Sequence, residues 1–202
     1  TGVQSYLGNL YAKSAVQLLN SFYEKYEWII HVVVTFLFSC SCVLIVPFIQ
    51  VYTNGINDAN YSASLFGILI SIAQMTYCLR LPYNAMIFAA GHYKETQSSA
   101  VVEAVINIGV SILCVKRFGL VGVALGTMIA MLYRTTYLAL YLEKEILFRP
   151  FIKYLKHMVI DAIIIGVAIV SNNYFSLESI QDINTSMPWL LPLIAGVITI
   201  LS

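Results

Sequence analysis

Three charged residues stand where charge is costly. Arg80 and Arg134 lie inside apolar stretches, and Glu103 lies near the start of another. If those stretches cross a bilayer, each such charge costs on the order of 3 kcal/mol and is normally matched by an opposite charge or by water. A helix rises about 1.5 Å per residue, which puts Arg80 roughly 27 Å below the outer end of its span and Arg134 roughly 21 Å below its own. Glu103 falls roughly 6 Å above the inner end of its span. All three therefore share the cytoplasmic third of the membrane. Glu103 is expected to neutralise one of the arginines, with Asp161 as a second acidic partner at similar depth. Asn107 and Ser111 follow Glu103 at four-residue intervals, so the three share one helix face. Two chemistries fit this set. Arg80, Glu103, Asn107 and Arg134 either line a hydrophilic path that draws in an anionic substrate, or form a buried ion pair that ties helices together.

The elements that must position these groups are membrane spans. Leu65–Phe88 runs for 24 residues with Arg80 as its one formal charge. Hydrophobic residues make up 59% of the chain, charged residues 10%, and mean hydropathy is +0.81. A soluble domain carries roughly 25% charge, and about 20 apolar residues span a bilayer as a helix. The expected fold class is all-α, a polytopic transmembrane helical bundle. Spans are expected at about 28–49, 61–90, 99–115, 120–142 and 157–175, with a truncated one from 189. Residues 1–27 read as the tail of a preceding helix and a cytoplasmic loop, and 143–156 as a basic cytoplasmic loop able to lie along anionic headgroups. Gly119, Gly122, Gly126 and Ala130 place small residues along the span at 120–142, a pattern that favours close packing of two helices. Pro82, two residues after Arg80, is expected to kink its helix.

Charge distribution orients the bundle. With the N-terminal side in the cytoplasm, Lys13, Lys25, Lys94, Lys144, Arg149, Lys153 and Lys156 lie inside, and only Lys116 and Arg117 lie outside. Tyr23, Tyr26 and Trp28 suit an inner aromatic belt, and Tyr52 and Tyr61 an outer one. Cys40, Cys42, Cys78 and Cys114 all fall in apolar runs and read as small buried residues. His31, His92 and His157 read as isolated. No motif of a hydrolase, nucleotide loop or zinc site stands out, so neither an enzyme, a metal, a cofactor nor a nucleic-acid partner is expected. The start at Thr1 and the end inside an apolar run suggest a piece of a longer protein.

The stretch from Ala89 to Arg134 is the most specific. It contains Ala89-Ala90-Gly91-His92-Tyr93-Lys94-Glu95-Thr96-Gln97, then Val102-Glu103-Ala104-Val105-Ile106-Asn107-Ile108. Phe118-Gly119-Leu120-Val121-Gly122-Val123-Ala124-Leu125-Gly126-Thr127 follows. These blocks, with Gly8-Asn9-Leu10-Tyr11-Ala12 and Asn57-Asp58-Ala59-Asn60-Tyr61, resemble the polysaccharide-biosynthesis flippases of the MATE/MOP superfamily. The resemblance implies the second half of a two-bundle fold that opens to one side at a time. It implies export of undecaprenyl-pyrophosphate-linked oligosaccharide repeat units across the bacterial cytoplasmic membrane. The implied partners are membrane lipid, the lipid-linked oligosaccharide, and a polysaccharide polymerase and glycosyltransferases. The competing expectations are a cation-coupled drug antiporter of the MATE type and a non-transporting scaffold subunit of an envelope-synthesis complex.

Overall fold

In a computed structural model, residues 2–52 and 64–179 are described, and they form seven helices. These are α1 (Gly2–Ala12), α2 (Val16–Tyr52), α3 (Ser64–Leu79), α4 (Leu81–Ala89), α5 (Tyr93–Phe118), α6 (Leu120–Glu145) and α7 (Ile152–Ser179). The chain is an all-α helical bundle. Among the described residues, four stretches are long and apolar enough to cross a membrane: Val16–Ile45, Leu65–Ala89, Tyr93–Phe118 and Leu120–Glu145. α7 occupies the region of the span expected at 157–175, and the segment from 189 lies outside the described residues.

Several boundaries differ from expectation. α2 begins at Val16, so Ser21–Glu27 are helical and not loop. The polar face of this first part, with Glu24 and Glu27, finds partners on the far end of the chain, which hydropathy does not register. The span expected at 61–90 is two helices. Pro82 has no N–H to donate, and the chain turns at Arg80, whose own N–H bonds Tyr77 O at 3.2 Å. α5 starts at Tyr93 and ends at Phe118, longer at both ends than 99–115.

Two turns rest on glycine. After α4, Gly91 adopts φ +81°, and the N–H groups of Gly91 and His92 bond Phe88 O and Ile87 O at 3.1 and 3.0 Å. This left-handed closure satisfies carbonyls at the helix end and suits a residue without Cβ. Gly119, expected within the packing stripe, instead makes the α5–α6 turn at φ +56°.

α5 and α6 approach each other closely. A Cβ at Gly122 would stand 2.5 Å from the Cys114 carbonyl. One at Gly126 would collide with the Ser111 Oγ and lie 2.9 Å from its N. Ala130 is buried one turn further on. The small stripe of α6 thus faces the Asn107–Ser111–Cys114 side of α5. Opposite that side, Val101, Val105, Ile108, Ile112 and Leu113 are exposed, as lipid-facing residues are. A core of Leu7, Leu19, Tyr23, Tyr83, Met86, Leu138 and Leu142 closes one end of the bundle. A second cluster, Val34, Cys42, Met75, Leu79 and Ile165, joins α2, α3 and α7 further along.

Candidate functional site

Arg80, Glu103 and Arg134 come together. Arg80 Nη1 donates to Glu103 Oε1 at 2.8 Å, and Arg134 Nη1 donates to Glu103 Oε2 at 2.7 Å. One carboxylate therefore bridges two guanidiniums and carries a single negative charge against two positive ones. Its members differ in exposure: the Arg80 side chain is 5% exposed, Glu103 17% and Arg134 24%. The turn before Pro82 aims Arg80 inward and lays its guanidinium 4.8 Å from the Tyr77 ring. The Arg80 and Arg134 Nε atoms are buried without a protein partner.

The polar line on α5 continues from this triad but does not face open space. Ser111 Oγ donates to Asn107 Oδ1 at 3.2 Å, and Thr127 Oγ1 of α6 reaches the same oxygen at 3.4 Å. The glycine stripe lets α6 close over this line. Asn107 thus belongs to the α5–α6 seam, and the triad is where the seam meets α3 and α4.

A second charged cluster was not anticipated from the residues. Arg149, in the turn between α6 and α7, donates through Nε to Glu143 Oε2 at 2.9 Å and through Nη2 to Glu143 Oε1. The same Nη2 reaches Glu27 Oε2 on α2 at 3.1 Å. All three side chains are nearly fully buried, and the guanidinium stacks 5.3 Å from the Tyr23 ring. Burial alone would lower the Arg149 pKa. The hydrogen bonds and charges of Glu143 and Glu27 outweigh that and hold the guanidinium above its ordinary value. Two expectations change here. Arg149 turns into the protein and is not available to headgroups, although Lys144 stays exposed. Tyr23 is fully buried and is not part of an interfacial belt, whereas Trp28 is 58% exposed.

The histidines are not isolated either. His31 Nδ1 meets Asp161 Oδ2 at 2.5 Å, and Thr35 Oγ1 donates to Asp161 Oδ1 at 2.9 Å. Asp161 therefore serves His31 and not an arginine. The His31 and His157 rings lie 5.0 Å apart, and Tyr83 OH donates to Glu27 Oε1 at 3.0 Å. His92 Nδ1 pairs with Tyr141 OH at 2.8 Å. Beside this network, a groove of about 520 Å³ between α2 and α7 is walled by Trp28, Val32, Phe36, Ile160 and Ile164. His31, Thr35, His157 and Asp161 also line it. One signal could have been found: Glu27/His31 and His157/Asp161 are each four residues apart, hence each on one helix face.

The family model described as lipid II flippase MurJ matches residues 14–192, nearly the whole chain. The chain belongs to the MurJ family. No curated protein and no solved structure matches it. MurJ flippases are transporters of lipid-linked precursors and catalyse no chemical reaction, so the chain is not an enzyme. The family places the chain among the lipid-linked flippases of the MOP superfamily and makes it a multi-pass membrane protein. Among the residues matched are all members of both charged clusters.

Proposed function

We propose that this chain is the second half of a flippase that carries lipid II, the lipid-linked peptidoglycan precursor, across the bacterial cytoplasmic membrane. The family match supports the class of substrate. The observation within the chain that carries the reading is the Arg80–Glu103–Arg134 triad, which keeps an excess positive charge with Arg134 24% exposed. A guanidinium presents a rigid fork that matches phosphate oxygens. On this reading, Arg134 meets the pyrophosphate as the headgroup passes the inner third of the bilayer. Glu103 holds both arginines in place between passages. The absence of an ATP-binding motif fits a transport cycle driven by an ion gradient or by consumption of the product.

The test is depletion of the parent gene in its own host, with extraction of polyprenyl-linked intermediates. Lipid II is expected to accumulate on the cytoplasmic side. Accumulation of completed oligosaccharide repeat units, with lipid II unchanged, would replace the substrate by the repeat unit, which shares the pyrophosphate. Unchanged intermediates together with new sensitivity to cationic drugs would sink both in favour of an antiporter.

A further inference from the structure

Glu27, His31 and His157 have a geometry that the transport reading does not use. We propose that they form a binding site for one divalent transition-metal ion of the zinc type, which clamps α2 to α7. The inference rests on this geometry alone and is independent of which substrate is carried.

One donor atom from each residue lies within 4.8 Å of the others. The carboxylate and one imidazole come from successive turns of α2, and the second imidazole comes from the facing turn of α7. His31 is already set as a metal-binding histidine is set. Its Nδ1 is engaged by Asp161, which Thr35 holds in turn, so Nε2 points away from that carboxylate. A carboxylate behind a ligating imidazole fixes its orientation and raises its basicity. Nε2 faces the Tyr83 hydroxyl at 3.3 Å, and that hydroxyl bonds the Glu27 oxygen on the other side, so both donors border one small space. His157 adds a ring nitrogen, Nδ1, that is buried without a hydrogen-bond partner. Arg149 occupies Glu27 Oε2, so the oxygen facing the ion is Oε1, where metal would take the place of the Tyr83 hydroxyl.

Charge favours the same occupant. The region holds three carboxylates and one guanidinium: Glu27 and Glu143 share Arg149, and Asp161 meets His31. With both imidazoles neutral, two negative charges are unmatched, and one divalent cation balances them. The donor set selects the metal. Two imidazoles and a carboxylate suit zinc-like ions, whereas calcium and magnesium take oxygen shells of six or more ligands. Ligands at about 2.0–2.1 Å around a tetrahedral ion stand roughly 3.4 Å apart. Closing from the present spacing requires an inward swing of His157, the least buried of the three. The groove between α2 and α7 is lined by both histidines and provides the way in.

The test uses the full-length protein in detergent, with its affinity tag removed and after chelation. Titration with Co²⁺ is expected to give one equivalent with visible d–d absorption, displaced by Zn²⁺ but not by excess Mg²⁺. Asp161→Asn is expected to weaken binding about 10–100-fold, and His157→Ala, which removes a ligand, by at least as much. Zn²⁺ is also expected to raise the thermal midpoint of the wild type, a reading that needs no variant. Absence of stoichiometric Co²⁺ binding, a wild-type midpoint that ignores Zn²⁺, or equal affinity in a folded His157→Ala protein would each overturn the proposal.

Discussion

At the α5–α6 seam one carboxylate sits between two guanidiniums; at the α6–α7 turn one guanidinium sits between two carboxylates. The two triads use the same groups in inverse proportion and differ most in exposure. Glu27 and Glu143 are each 2% exposed and Arg149 is 6% exposed, so removal of any one leaves charge that water cannot reach. In the other triad Arg134 is 24% exposed, so charge there can be met by solvent or by a passing headgroup. A buried ion network is not itself evidence of stability, but breaking one is costly. The contrast suggests that the Arg149 triad holds the bundle and the Glu103 triad has freedom to act.

The sharpest break of this contrast is Arg149→Ala. It strands two buried carboxylates and is expected to cost about 3–5 kcal/mol, read as loss of folded protein by size-exclusion chromatography and thermal denaturation in nanodiscs. Adding Glu27→Gln and Glu143→Gln should recover much of that loss. Recovery without them would mean the triad is not as isolated from water as its burial implies.

Next comes Glu103→Gln, which leaves two guanidiniums facing each other. Partial exposure limits the cost to about 1–3 kcal/mol, while flipping assayed in cells should fall further than stability does. The paired swap Glu103→Arg with Arg134→Glu divides the roles. Restored folding without restored transport supports contact with the substrate; restoration of both makes the triad structural.

Gly126→Ala probes the seam beside the triad. The added methyl meets Ser111 and the α5 backbone, and overpacking of this kind costs about 1–3 kcal/mol. A wild-type thermal midpoint would show that α5 and α6 separate easily. The smallest effect is expected from Lys153→Ala, whose 3.0 Å pair with Glu24 is largely in water, and such pairs contribute about 0–1 kcal/mol. A large loss there would mean that exposure does not rank these charges.

The Glu103 triad was partly legible because its signals are local to each helix. A charge within an apolar run must find a partner at its own depth, and helical rise converts residue counts to depth. The bridging of both arginines was not legible, since depth does not say which helices are neighbours. The Arg149 cluster lay further out of reach. Glu27 and Arg149 are separated by 122 residues, and His31 and Asp161 by 130. Glu27 and His31 looked like ordinary polar residues at the end of a span, Arg149 like a loop charge, and Asp161 was expected to partner an arginine.

From residue order alone came the class and the parts. Apolar length dictates spanning helices, because a backbone in lipid must satisfy its own hydrogen bonds. Proline at 82 dictates the break near Arg80, and the α6 small residues allow a close helix neighbour. Only the tertiary structure decided which charges meet. Side chains at the ends of different helices carry no shared periodicity, and packing of α2 on α7 and on the α6–α7 turn chooses their partners. That packing turned Arg149 inward, gave Asp161 to His31, and set Glu27, His31 and His157 around one space.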